Sequence, residues 1–299
     1  MGSSHIFRKE INIMIKGFLG KTHALLSIML LCICLLIPIN IFENTIWLLK
    51  NDVLFFCIGL IVTVGGALLP DLDNVQSAAG STLGFMGSMF TTFMQSTSMM
   101  IWSLAHTKRE RKPFTPHRYF WHTLIASAGI ICLFYFGLPS GEVTIIEDIQ
   151  QKSIENFLQD SFILLFFILF VFMTVLCGSN MVLSKIIIFF KLPKFLNYIA
   201  PLAICIYIFF IDYNHLHILG ICIGLGYLFH CIEDCFADTG VPILWPIPIK
   251  GKLWHRIKFF VTCKTDTTSP SLANTIIDII VLSIDIGLII LIFLKGRVI

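Results

Sequence analysis

The chain has 299 residues, of which 57% are hydrophobic and only 13% charged, and its mean hydropathy is +0.88. Soluble globular domains carry about a quarter charged residues, so composition excludes an ordinary soluble fold and favours a surface that lipid solvates. The net charge of +3 gives no reason to expect nucleic acid as a partner, and the ten cysteines contain no CxxC pair that would suggest a thiolate zinc site.

Apolar runs of about 20 residues are the signature of membrane spans. In chain order they are Ala24–Phe42, Val53–Leu69, Phe120–Leu138, Ser161–Cys177, Phe195–Ile211, His215–Cys231 and Thr275–Leu294. Inside lipid each must be helical, because every backbone polar group needs an internal partner. The expected architecture is all-α: one polytopic membrane domain over 1–299 with about six to seven spans. The first run lacks a small-x-small cleavage site and reads as a retained span. Cys32, Cys34, Cys57, Cys132, Cys205 and Cys222 fall within these runs and read as small membrane-core residues.

Between the spans lie three stretches of different character. Residues 74–118 are expected at the interface, where Gly80–Ser103 mixes glycine and hydroxyl residues with Phe85, Met86, Met89, Phe90, Phe93 and Met94. An insert covers about 139–215, within which Asn180–Phe190 either extends the fourth helix or lies in the interface. Val241–Ile249 holds Pro242, Pro246 and Pro248, and three prolines make it an irregular segment and not a span.

Alternation of the spans puts 17 of the 21 Lys and Arg on the side of the N-terminus, leaving only Lys50, Lys152, Lys295 and Arg297 on the other. By the positive-inside rule the N-terminal side is cytoplasmic.

Four span ends carry His and Asp, and by this alternation all four lie on the cytoplasmic side. His23 opens the first run, Asp71 and Asp73 close the second, His117 and His122 bracket the start of the third, and His230 with Asp234 closes the sixth. His230 and Asp234 are i and i+4, on one helical face. Asp71 and Asp73 follow Pro70, where helix must end, and two carboxylates so close repel unless a cation or a proton lies between them. His117 and His122 are five apart, so His117 is expected in the cap of its helix. Ionisable groups at membrane depth are costly and commonly functional. A mixed His/Asp set suits a divalent ion, Zn²⁺ or Mn²⁺ before others. Glu233 and Asp238 are further carboxylates near this end. His5, His106, His215, His217 and His255 show no partner pattern.

These segments resemble the YdjM family of inner-membrane proteins, described as membrane-bound metal-dependent hydrolases of the LexA-regulated type. The resemblance rests on Thr22-His23 with Ser27, on Leu68-Leu-Pro-Asp-x-Asp73 with Ser77, and on His117-Arg118 with His122-Thr123. It rests most specifically on Gly226-Tyr-x-x-His230-xxx-Asp234 followed by Gly240-Val241-Pro-x-Leu-Trp-Pro246. Together they cover about 22–250. Asn74, Trp121, Thr123 and Ala237 stand where the family has other residues.

The resemblance implies an integral inner-membrane hydrolase acting through metal-activated water at the cytoplasmic face. Its metal ligands would be His23, Asp71, Asp73, His117, His122, His230 and Asp234. Asp73, Glu233 and Arg118 are the expected catalytic groups, with Arg118 placed to hold a phosphate oxygen. The location of such a site at the membrane face, and not the resemblance, suggests membrane lipid and an amphiphilic or lipid-linked ester as partners. The alternatives are an ion- or metal-handling protein, disfavoured by the apolar far halves of the spans, and a structural protein whose metal only braces helices.

Overall fold

The structure is a computed structural model and describes residues 22–36, 52–111, 117–137, 168–181, 187, 190–191, 193, 195–210, 216–237, 239–258 and 272–296. The acidic loop Glu142–Asp160, most of Asn180–Phe190 and Asp238 lie outside the described residues. Among those residues the protein is all-α. The helices are α1 (Thr22–Leu36), α2 (Val53–Leu68), α3 (Ala78–Leu83), α4 (Phe85–Leu104), α5 (Leu124–Gly137), α6 (Ile168–Met181), α7 (Leu196–Phe210), α8 (Leu216–Glu233) and α9 (Leu272–Gly296). Two helical segments, Val53–Asp73 and His217–Phe236, are long and apolar enough to cross a bilayer, and α1, α6 and α7 are shorter apolar helices, as is Leu124–Leu133 within α5.

The centre of the bundle is the pair α2 and α8. Without a hydrophobic force to join helices in lipid, association depends on close backbone approach at small residues. A Cβ on Gly66 would collide with the Ile223 carbonyl, and one on Gly226 with the Thr63 carbonyl, so each helix is glycine where it crosses the other. The crossing falls four residues before His230 and four to seven residues before Pro70 and Asp73. It thereby sets the two chemistry-bearing helix ends side by side. Around it pack Phe55, Val62, Leu68, Leu219, Ile223 and Tyr227, all almost fully buried.

Proline ends α2. Pro70 opens a 3₁₀ turn over Pro70–Asp73, whose last carbonyls have no intrahelical partner. Helix α4 supplies the partners: Thr91 Oγ1 donates to the Leu72 carbonyl at 2.5 Å and Gln95 Nε2 to the Asp73 carbonyl at 2.8 Å. Thr91 and Gln95 are one turn apart, on the face of α4 that also buries Gly87, Met94, Ser98 and Trp102. The opposite face is apolar and open, with Phe85 78% and Leu104 80% exposed. Ser77 caps the short α3 by accepting from the Gly80 amide, and Gly84, at φ 55°, joins α3 to α4. The interfacial stretch read from sequence is therefore a helical hairpin with a greasy outer face.

The third apolar run begins later than its composition suggests. Phe120–His122 form a 3₁₀ turn, and α5 starts at Leu124 because Thr123 takes the cap position, accepting from the Ala126 amide at 3.2 Å. Tyr227 of α8 donates to the Trp121 carbonyl at 2.6 Å, and the Leu124 amide to the Ile243 carbonyl at 2.9 Å. The Pro-rich segment 241–249 is irregular, and isolated bridges Val241–Ile257 and Ile249–Lys252 close it back on itself.

Replacing Gly226 with Leu should drive α8 away from α2 and cost about 1–3 kcal/mol, typical of overpacking. Thermal unfolding of purified protein in detergent checks this. Gly129→Ala is the control, since open space surrounds Gly129 inside α5, and it should keep the transition or raise it slightly through helix propensity.

Candidate metal centre

Four helix ends meet. The start of α1 brings His23, the turn after α2 brings Asp71 and Asp73, the approach to α5 brings His117, Arg118 and His122, and the end of α8 brings His230, Glu233 and Asp234. All seven residues read from sequence as metal donors fall into three groups that can hold an ion: His23, His230 and Asp234; Asp71, His122 and His230; Asp73, His117 and His122. Within each group the ligand atoms lie within 4.8 Å of one another. Adjacent groups share a histidine, first His230 and then His122, so the donors form one continuous cluster.

Individual contacts show how tightly it is drawn. His122 Nδ1 lies 2.8 Å from Asp234 Oδ2 and its Nε2 3.3 Å from Asp73 Oδ2. His230 Nε2 lies 3.5 Å from Asp234 Oδ2 and 3.7 Å from Asp71 Oδ1. His117 Nε2 lies 3.3 Å from Asp73 Oδ1. The rings of His23 and His230 are 4.1 Å apart, and those of His122 and His230 5.2 Å. His117 and His122 meet edge to face at 5.9 Å, with His117 in the turn ahead of the helix.

The atoms approach closely, yet most are not aligned to hydrogen bond with each other. Among the described residues, both ring nitrogens of His230, Nε2 of His23 and Oδ1 of Asp73 are buried without an aligned hydrogen-bond partner, and the His122 nitrogens and Asp234 oxygens have ion-pair contacts but no aligned hydrogen bond. Buried polar atoms are normally satisfied, and leaving one unsatisfied costs about 1–3 kcal/mol. So many in one place is the pattern of atoms aimed at a shared cation. Charge gives the same answer. Asp71, Asp73, Glu233 and Asp234 are carboxylic acids, while Arg118 is the fixed cation among them. Ionised and buried together, these acids carry an excess of negative charge that a divalent ion offsets. Burial lowers the pKa of His117 below the usual histidine value, although Asp73 pulls it upward. The ring therefore stays neutral near pH 7 and keeps a lone pair for an ion.

Two further side chains fix this set without offering ligand atoms to it. Glu233 Oε2 lies 2.5 Å from His23 Nδ1. With the proton on Nδ1, His23 presents its Nε2 lone pair toward Asp234, 3.7 Å away; a carboxylate behind a ligating histidine is the usual way its tautomer is set. Arg118 takes a positive φ of 61° and reaches both carboxylate-bearing segments. Its backbone amide donates to Asp73 Oδ2 at 2.8 Å, its Nη2 pairs with Asp234 Oδ1 at 2.9 Å, and its Nη1 donates to Thr239 at 2.9 Å. Both terminal nitrogens thus have a partner inside the protein, while Nε has none among the described residues.

Sequence reading assigned no role to the residues that hold the backbone here, Thr91, Gln95 and Tyr227. They are neutral side chains, and nothing in their spacing marks them. It also passed over two acids in the last apolar run, Asp278 and Asp285, which are buried on the inner face of α9. Their seven-residue separation inside an apolar helix was a usable signal.

The family model described as YdjM inner membrane protein matches this chain over residues 18–183 and 196–294. No curated protein and no solved structure matches it.

Glu233→Ala should lower the affinity for Zn²⁺ or Mn²⁺ by about 10–100-fold, the usual effect of losing the group behind a ligand. Asp234→Ala, which removes a candidate ligand atom, should weaken it further. Competition titration against a chromogenic chelator measures both. Unchanged affinity in Asp234→Ala would remove that residue from the site.

Proposed function

The chain belongs to the YdjM inner membrane protein family, and from that premise we propose that it is a multi-pass, metal-dependent hydrolase working at the cytoplasmic membrane face. In this reading six to seven spans carry the buried His/Asp cluster, which holds one or two divalent ions, Zn²⁺ or Mn²⁺. The observation that carries the proposal is the convergence of seven donors, with their buried unpartnered nitrogens and oxygens, at one end of the helix bundle.

The donor set exceeds a single tetrahedral shell, which suits two ions sharing carboxylates or one ion beside a base. A bound divalent ion supplies Lewis acidity and lowers the pKa of water toward neutrality. The protein's own groups do the rest. Glu233 orients His23 through Oε2, and its Oε1 has no hydrogen-bond partner among the described residues, so it is the group we assign to accept a proton. Asp73, gripped by the Arg118 amide and both histidines of its group, holds the second helix end to the third and contributes its carboxylate to the cluster. Arg118 balances the charge of Asp234 and sets its direction.

The substrate we assign is amphiphilic, a lipid or lipid-linked phosphoester. The open apolar face of α4 supports this: Phe93 contacts Trp121 at 6.1 Å, and Trp121 adjoins His122 in the chain. A hydrocarbon chain lying on that face would bring its polar end to the cluster.

Ion handling has one observation on its side. Asp285 lies on the inner face of α9, 2% exposed, and neither carboxylate oxygen has a hydrogen-bond partner among the described residues. Ion flux in proteoliposomes that vanished in Asp285→Asn would favour it over hydrolysis.

Purified protein should contain bound metal by elemental analysis, and His230→Ala and Asp71→Ala should each lose most of it. Chelator-sensitive release of phosphate from a lipid-linked phosphoester should disappear in the same variants. Full metal content in both variants would overturn the site. Metal binding without hydrolysis across a panel of lipid esters would leave the bracing role.

A further inference from the structure

Beside the centre lies a second, oppositely charged feature. The loop after α4 and the hairpin at 249–252 are locked together. Glu110 accepts from the Thr107 amide through one oxygen, at 2.6 Å, and from the Trp254 amide through the other, at 2.5 Å. Trp254 Nε1 donates to the Ala105 carbonyl at 2.6 Å, and Thr107 Oγ1 to the Gly251 carbonyl at 3.1 Å. Ile249 and Lys252 exchange backbone hydrogen bonds at 2.9 and 3.0 Å around Lys250 and Gly251, whose φ values of 52° and 74° are those of a tight primed turn. Arg109 lies over the tip: a Cβ on Gly251 would sit 2.8 Å from its Nη1.

This lock decides the charge of the surface. Glu110 is the one acid in 104–111 and 244–258, and both its oxygens are spent on backbone amides. Lys108, Arg109, Arg111, Lys250 and Lys252 are left exposed on one rigid unit. The patch has an apolar border, with Met100 57%, Leu104 80% and Ile247 58% exposed. Stacked Trp245 and Trp254, 5.0 Å apart, tie it to Tyr119 next to Arg118 of the centre.

We propose that the Arg109–Lys250–Lys252 tip is a docking site for the phosphate headgroup of an anionic membrane lipid. Two exposed lysines stand on one rigid turn and Arg109 lies over its glycine, a set of three cations that favours a phosphate. The exposed apolar border favours a phosphate carrying acyl chains over one free in water. The tip holds lipid whether or not the neighbouring centre hydrolyses anything.

Delipidated full-length protein in neutral detergent is titrated separately with phosphatidylglycerol, phosphatidylcholine and inorganic phosphate, with bound lipid read by native mass spectrometry. Phosphatidylglycerol should bind well above phosphatidylcholine, and its affinity should fall with added salt. The combined variant Arg109→Glu, Lys250→Glu, Lys252→Glu should lose about tenfold or more of that affinity while keeping metal content and thermal transition. Equal binding of the two lipids, or an unchanged affinity in the folded variant, overturns the proposal. Full competition by inorganic phosphate at matched concentration assigns the tip to free anions and overturns the lipid reading. Should the variant not fold, the unmodified protein decides: affinity for phosphatidylglycerol that is indifferent to salt overturns the site.

Discussion

Burying Asp73 and Asp234 among other acids is the constraint on which the rest of this structure turns. A carboxylate removed from water is stable only when its charge is met by a partner or an ion. Here four helix ends are brought together to meet it. Arg118 answers part of the charge, with its guanidinium on Asp234 and its backbone amide on Asp73. The histidines surround the remainder, and among the described residues most of their ring nitrogens have no aligned hydrogen-bond partner. The cluster makes physical sense as a cation-binding site and little sense as a packing device, because an apolar core of similar size would be cheaper to bury.

The helices serve this constraint by packing without side chains at their crossing. Gly66 and Gly226 let α2 and α8 approach backbone to backbone, so Asp71 and His230 come within reach a few residues later. Longer side chains there would open the pair and separate the donors. The neutral anchors work on the same principle. Thr91 and Gln95 hold the carbonyls of Leu72 and Asp73, and Tyr227 holds that of Trp121, so each donor segment is fixed by its backbone and its side chains are left for the centre.

The surroundings divide into greasy and basic surfaces. The outer face of α4 is apolar and open, while the loop-and-hairpin unit next to it has internalised its single acid and turned its cations outward. That arrangement fits a boundary between hydrocarbon and headgroups. A soluble protein would gain nothing from Phe85 and Leu104 in that position.

Much of the site was legible in the sequence for a definite reason. Hydropathy marks the ends of the apolar runs, counting the runs in order groups the ends that carry His and Asp, and ionisable residues stand out against an apolar background. His23, Asp71, Asp73, His117, His122, His230 and Asp234 could therefore be assembled from one dimension, together with the all-helical class. Spacing could not tell that His230 serves two neighbouring groups, that Glu233 stands behind His23, or that the guanidinium of Arg118 pairs with Asp234. Those facts depend on which atoms face one another across helices, and a periodicity of 3.6 residues gives the face of a helix but not its neighbour. Thr91, Gln95 and Tyr227 were invisible for a related reason: a neutral side chain that satisfies a distant carbonyl has no local signature. Composition and order determined what must be buried; only the tertiary contacts decided how that buried charge is held.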